Sequence, residues 1–475
     1  MSEVLLVLVG LVGLCLLLFM GEPSRTKSNK THVRSPVPRR LRGKACGEPR
    51  IVLGRLRGRD VAAEPHHSVL VIGPTQSGKT SRLVVPAIAA WPGPVLVSSV
   101  KGDVLSLTRR DRAAFGPLSV IDPSRSTGAT ANSWRPYCSL QTFHDARALA
   151  RDLCAASSAA TPSGDGEFWL NAAARYLAPL FLAGARCDAP LTVVQRWMDD
   201  EDVGEALSVL EASGDHDAHL VLLQLLRRDA RQLHSIVTTA EVVMEALVDG
   251  AGEGPEIDLD HFLGSCGTLY LCAPLLDQQR SRALLTGLRN EVTRKASHLA
   301  LKQGGRLTSP LLIVQDEAGH SAGLEQLSAL AATGVGQGIT VLTVFQDMGQ
   351  ILHDHGALAS SLVLNHRARV LMAGTIDQAS VDLFVTLSGE QRRRERSQSH
   401  SRQGRSQTEH EVTSPRLERH QLATLMQGSG VVLYDALPPF FVRLSAKRKR
   451  RAPTAVHARP KGRHRARVAR GGEER

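Results

Sequence analysis

The hydrophobic positions along this chain fall into two rhythms. On either side of a central stretch they come as short, continuous apolar runs: Val69–Ile72, Val95–Ser99, Leu118–Ile121, Thr268–Cys272, Leu311–Val314, Ile339–Phe345, Arg369–Met372 and Val431–Tyr434. Runs of that length without alternation are expected of strands covered on both faces of a parallel sheet. Helical spacing lies between several of them, which predicts an α/β doubly wound domain. From about Thr142 to Gly250 the rhythm changes. Ala, Leu, Arg and acids recur at helical spacing over Asp145–Cys154, Phe168–Ala185, Val203–Ala212, Ala218–Leu233 and Ile236–Val248. No strand interrupts them, so an all-α domain over 142–250 is expected between two parts of the sheet domain, 61–141 and 251–446. Pro179 should kink or split the second of these helices. The aromatic pair Phe168-Trp169 is assigned to its core.

Three segments follow neither rhythm. Val4 to Met20 is seventeen residues without a charge, near the lower limit for a helix that crosses the hydrocarbon layer. A cleaved leader would want basic residues before the run and a small-x-small site after it. Glu3 stands in front and Phe19-Met20-Gly21-Glu22-Pro23 follows, so residues 1–20 are read as a single transmembrane anchor. Gln391 to Pro415 is rich in Ser, Arg and Gln with Val412 its one apolar side chain, and is expected to be a mobile loop between two sheet strands. The last segment, Lys447 to Arg475, has no apolar periodicity, which predicts a disordered tail.

Charge sharpens this division. The formal net charge is +12, but 21–60 carries +9 and 447–475 carries +10, leaving the body acidic. Residues 21–60 form a basic linker next to the membrane, able to rest on anionic lipid. By the positive-inside rule they hold everything that follows in the cytoplasm. The basic tail is suited to nucleic acid or to plain solvation, and composition does not decide between them. Seven scattered cysteines without a CxxC pair indicate neither a metal site nor a disulfide framework.

The first apolar run ends in the chain's clearest motif. Gly73-Pro74-Thr75-Gln76-Ser77-Gly78-Lys79-Thr80 has the spacing G-x-x-x-x-G-K-[ST] of a phosphate-binding loop. Its glycines let successive backbone N–H groups turn inward on phosphate oxygens. Lys79 is placed to reach the β- and γ-phosphates, the Thr80 hydroxyl to bind Mg²⁺, and a helix from about Ser81 to turn its positive end to the same anion. These residues predict ATP binding. Turnover needs a second element, an apolar strand ending in an acid, and Leu311-Leu-Ile-Val-Gln-Asp316-Glu317 supplies it. Asp316 can hold the Mg²⁺ and Glu317 can polarise the attacking water. The next strand ends at Gln346, which can act as a γ-phosphate sensor or as a capping amide.

These anchors, in order, resemble the coupling ATPases of type IV secretion systems, the TraG/TraD-like proteins of bacterial conjugation. The resemblance runs from about Ile51 to Leu444. It rests on the Gly73–Thr80 loop, Val95-Leu-Val-Ser-Ser-Val-Lys101-Gly102-Asp103, Ser119-Val-Ile-Asp122-Pro123, Trp134-Arg-Pro136, the helical insertion, Thr268-Leu-Tyr-Leu, Asp316-Glu317 and Gln346. It implies a RecA-like motor domain with an all-α domain, anchored in the bacterial cytoplasmic membrane and homohexameric. The partners implied are DNA with its attached relaxase and the components of the secretion channel. The sequence departs from the family pattern in one membrane helix where two are common, in Ser99-Val100 where many members have Asp-Pro, and in its basic tail. An FtsK-type translocase would add membrane helices and a winged-helix module, and a type VII secretion ATPase would add tandem phosphate loops. A membrane-tethered adaptor that binds ATP without turnover is the reading from another class. Arg367 and Arg369 are candidates, by position, for an arginine presented to a neighbouring subunit.

Overall fold

A computed structural model describes residues 38–42, 49–157, 164–198, 202–320, 327–401 and 404–445. The anchor Val4–Met20, most of the basic 21–48 block and the tail 447–475 lie outside them. Among the described residues no helix is long and apolar enough to cross a membrane.

In chain order the strands are β1 (Val52–Leu56), β2 (Arg59–Ala62), β3 (Val69–Ile72), β4 (Val95–Ser99), β5 (Leu118–Ile121), β6 (Thr268–Cys272), β7 (Leu311–Gln315), β8 (Ile339–Phe345), β9 (Ala368–Met372), β10 (Glu390–Ser401), β11 (Gly404–Pro415), β12 (Ser429–Tyr434) and β13 (Phe440–Arg443). All but β10 and β11 join one sheet, in the order β2-β1-β13-β12-β9-β3-β8-β7-β4-β6-β5. The pairs from β9 across to β5 are parallel; those from β9 across to β2 are antiparallel. Helices α1 (Val85–Ala90) and α2 (Asp103–Arg112) connect the first parallel strands. Then α3 (Phe143–Ser157), α4 (Gly164–Arg186), α5 (Leu191–Arg196), α6 (Val203–Ala212), α7 (His216–Leu226) and α8 (Ala230–Asp249) follow one another without a strand. The chain returns to β6 through α9 (Leu259–Gly264), and α10 (Arg282–Lys302) leads to β7.

The burial pattern explains why the strand runs do not alternate. In β7, Leu311 and Ile313 face a core built with the helical region, while Leu312 and Val314 face the opposite core under α1. Both faces are covered, so the positions from Leu311 to Val314 are all apolar. Arg112, at the end of α2, is wholly buried and fastens the rear of the sheet. Its guanidinium donates to Thr268 Oγ1 at 2.7 Å, Gly93 O at 2.9 Å, Cys266 O at 3.0 Å and the carbonyl of Trp91.

The eight apolar runs are all strands, and the structure differs from expectation elsewhere. β1 and the first residues of β2 fall inside the stretch read as a linker, where Gly54, Arg55, Arg57 and Gly58 hide a short edge hairpin. The segment from Gln391 to Pro415 is an antiparallel pair, β10–β11, and not a loop. Its register sets Arg394 opposite Glu411, Glu395 opposite His410 and Arg396 opposite Glu409. Helix α4 runs through Pro179 unbroken; the turns around it are buried from Leu177 to Ala183, and that packing outweighs one missing hydrogen bond. Of the aromatic pair, Trp169 packs on the core while Phe168 is 59% exposed. The break between α7 and α8 falls at Asp229, whose carboxylate caps Arg231 N, and not near Ser235.

Candidate functional site

The sheet order places the chemistry. Adjacent strands β3, β8, β7 and β4 run parallel, so their C-terminal ends present Gly73, Gln346, Asp316-Glu317 and Lys101 side by side along one edge. This is the carboxyl edge at which open α/β sheets bind ligands.

The loop after β3 folds tightly for local reasons. Gly73 N–H extends the ladder to Phe345 O at 3.2 Å, and a Cβ at Gly73 would lie 2.5 Å from Met372 Cβ. Gln76 and Gly78 both take positive φ, +64° and +88°, which turns the chain back on itself. Thr75 and Gln76 form the exposed rim, Pro74 sits partly covered, and Ser77 and Lys79 are buried inside. Lys79 Nζ donates to Gly73 O at 2.6 Å and Pro74 O at 2.9 Å, pointing the ammonium into the loop. Burial lowers its pKa, against the opposing pull of Asp316. After Thr80 one wide turn opens the helix, with Val85 N–H bonded back to Thr80 O. Such turns are frequent at functional sites.

Asp316 follows β7 and is 3% exposed. Thr80 Oγ1 lies 3.1 and 3.3 Å from its two carboxylate oxygens, across 236 residues of sequence. Burial, opposed chiefly by that hydrogen bond, pushes the carboxyl up to about 6. The next residue, Glu317, sits at φ +57°, a conformation disfavoured for a side chain of its kind and concentrated at functional sites. Its Oε1 accepts from Lys101 Nζ at 2.7 Å. Gln346 stands at the end of β8, between the phosphate loop and the acids, with its backbone N–H held by Gln350 Oε1 at 3.0 Å.

The donor set fits a magnesium nucleotide. A hydroxyl and a single buried carboxylate are the hard oxygen ligands Mg²⁺ takes beside phosphates and water. Among the described residues no cluster of three His, Cys, Asp or Glu side chains converges, so no competing metal cage exists there. Ser77 Oγ, buried within the loop and without a protein partner among the described residues, is an acceptor–donor ready for a phosphate oxygen.

All the site residues read from the sequence lie on this edge. The two arginines do not. Arg367 and Arg369 stand at the start of β9, where Ala368 pairs with Val69, at the opposite edge of the sheet from Gly73. Arg367 pairs with Asp435 at 3.0 Å, and buried Arg369 donates to Val363 O and Leu364 O. Sequence reading named Lys101 and Ser99 without assigning them work. Here Ser99 Oγ accepts from Lys101 N at 3.2 Å and donates to Lys101 O at 3.0 Å. An Asp at that position would accept from the same N–H but could not donate to the carbonyl, so the Ser keeps the first bond of the turn and adds the second.

Residues 27–447 match the protein family described as type IV secretory system conjugative DNA transfer. The VirD4 protein of Rhizobium rhizogenes is 22% identical over 404 residues, covering 80% of this chain and 58% of that protein. The conjugal transfer protein TraG of Escherichia coli is 23% identical over 320 residues, covering 60% of this chain and 49% of its own length. The chain therefore spans about half the length of these relatives. Among solved structures, the bacterial conjugative coupling protein TrwB in its unbound form superposes with a TM-score of 0.63 at 17% identity, covering 86% of this chain and 90% of that one. The same protein in complex with ADP and Mg²⁺ gives 0.62. The fold is thus a RecA-like P-loop α/β architecture with a mixed sheet, and the chain belongs to the type IV secretory system conjugative DNA transfer family.

Proposed function

We propose that this chain is an ATPase that couples DNA, carried with its relaxase, to a type IV secretion channel, using hydrolysis to drive translocation. One observation carries the reading: Lys79 and Thr80 converge with Asp316 and Glu317 from two stretches of sequence 236 residues apart. Family membership and the VirD4 and TraG relatives supply the conjugative context. In the mechanism, loop N–H groups and Lys79 hold the β- and γ-phosphates and so orient the terminal phosphorus. Thr80 and Asp316 would hold Mg²⁺, whose charge offsets that developing on the phosphate oxygens. Glu317 aligns a water for in-line attack and takes its proton, and Gln346 bonds the γ-phosphate or that water. The motor is anchored by Val4–Met20 in the bacterial cytoplasmic membrane, with the bulk in the cytoplasm, and works as a homohexamer.

The decisive experiment is a DNA-stimulated ATPase assay on the purified chain. Lys79→Ala should abolish turnover and weaken nucleotide binding; Glu317→Gln should bind ATP normally and not hydrolyse it. Wild-type rates from Glu317→Gln would remove the assigned base. Nucleotide binding with no hydrolysis by the wild type, with or without DNA, would instead favour the tethered adaptor.

A further inference from the structure

The Lys101-Gly102-Asp103 stretch is singled out by sequence, yet the mechanism above leaves it idle. Its placement is specific. Strands β4 and β7 are neighbours in parallel register, Ser98 beside Gln315, and Asp316 N–H bonds Ser98 O at 2.9 Å. The two strand ends are therefore fixed against each other at the residues just before the acids. The Ser99 hydroxyl then clamps both the N–H and the carbonyl of Lys101, which turns the Lys101 backbone across the end of β7. The ammonium reaches Glu317 Oε1 at 2.7 Å, 216 residues away in sequence. Glu317 is only 16% exposed in its side chain while Lys101 is 58% exposed, so the acid is held in place by a residue that itself stands at the solvent side. Lys101 also lies near enough to Lys79 to repel its charge, so both ammonium groups bear on one site.

A base must be held to within a fraction of an ångström and a few degrees of the attacking water. A 1 Å misplacement costs about 100-fold in rate. Glu317 hangs on a positive-φ residue beyond the end of its strand, where the backbone alone leaves its χ angles unset. A charge-assisted hydrogen bond from a clamped turn supplies what the strand does not. An exposed ion pair of this length adds little to stability, about 0–1 kcal/mol, so its use lies in geometry. We infer that Lys101 is the positioning residue of Glu317, holding the carboxylate that orients the attacking water, with Ser99 holding Lys101. The inference rests on the hydrolase reading above.

Steady-state kinetics on the full chain test it. Lys101→Met should lower kcat about 10- to 100-fold while KM for ATP, and the Kd of a fluorescent ADP analogue with Mg²⁺, stay within about threefold. Lys101→Arg should recover most of the loss, and Ser99→Ala should show a smaller loss of the same kind. A kcat within twofold of wild type in Lys101→Met, or a loss that appears in KM or in the Kd of the ADP analogue instead of in kcat, would overturn the assignment. A readout independent of turnover separates this from failure of the hydrolase reading. After reductive ¹³C-methylation, the Lys101 methyl resonance, identified by its loss in Lys101→Arg, should move in Glu317→Gln. An unmoved resonance refutes the pair itself. A moved resonance in a protein that never hydrolyses ATP would retain the pair and discard the ATPase.

Discussion

Asp316 offers a prediction that runs against the usual expectation for a catalytic substitution. Its carboxyl is buried beside Glu317, with one hydroxyl donor, and stands at about 6 where an aspartate ordinarily titrates at 3.8. Holding it ionised in the folded chain therefore costs about 3 kcal/mol, at about 1.4 kcal/mol for each pH unit of displacement. The sign follows from the direction. A raised folded pKa means that the folded state binds the proton more tightly, so stability is greatest below 3.8 and falls as pH rises through 6. Asp316→Asn keeps an oxygen for the Thr80 hydroxyl and removes the charge. Without nucleotide and with EDTA, at pH 8, the variant should be more stable by about 2–3 kcal/mol, while ATP hydrolysis disappears. Urea titration followed by far-UV circular dichroism measures it, comparing midpoints at unchanged slope. At pH 4 the gain should vanish. An Asp316→Asn chain less stable than wild type at pH 8, or equally stabilised at pH 4, would show that burial does not strain this carboxylate. Functional sites that store instability in this way are a known source of trade-off between activity and stability.

Two further outcomes can be checked. Arg112→Leu strips its donors from Thr268 Oγ1 and from the carbonyls of Trp91, Gly93 and Cys266, all at the rear of the sheet, and should destabilise by about 3–5 kcal/mol; a loss under 1 kcal/mol in the same titration would deny it a structural role. Truncation after residue 446 should flatten the dependence of log K for DNA on log salt by about four, if about five of the tail's cations contact duplex phosphates; identical slopes by fluorescence anisotropy would leave the tail as a solvated end.

The placement of the candidate site was largely legible because its residues sit where strand runs stop. Val69–Ile72 and Leu311–Val314 are apolar on both faces, and the residues just beyond them mark the sheet edge. The spacing of Gly73 to Thr80 then leaves little freedom. What escaped was pairing between distant stretches. Nothing local to Lys101 points to Glu317; only the β4–β7 adjacency joins them, and sheet order is not written in either segment. Edge strands escaped for the opposite reason. β2 at the sheet edge and its inner neighbours β1 and β13 are short, each carries an arginine and β1 a glycine, and they owe their pairing to neighbours more than to their own composition. The β10–β11 pair shows the same limit, since a segment without apolar residues gives no period to read. Arg367 and Arg369 were candidates by position alone, but β9 runs parallel to β3 and so carries its first residues to the far edge.

The sheet order also sets a schedule for biosynthesis. β3, which ends in the phosphate loop, has β8 and β9 as its two neighbours. Neither exists until about 270 more residues have been added, which at roughly 5–20 residues per second takes about 10–60 s. The strands made soon after it, β4 and β5, are not its partners, and even they are separated by β6, which arrives only after the helical region has been made. That region packs largely on itself and on α10, so it is able to collapse while the sheet still waits. Non-local parallel pairing of this kind is slow and open to aggregation. The strand that leads into the Gly73–Thr80 loop therefore spends a large part of its synthesis with both edges bare, and a chain stopped before Ile339 never gains a partner on the side facing the acids.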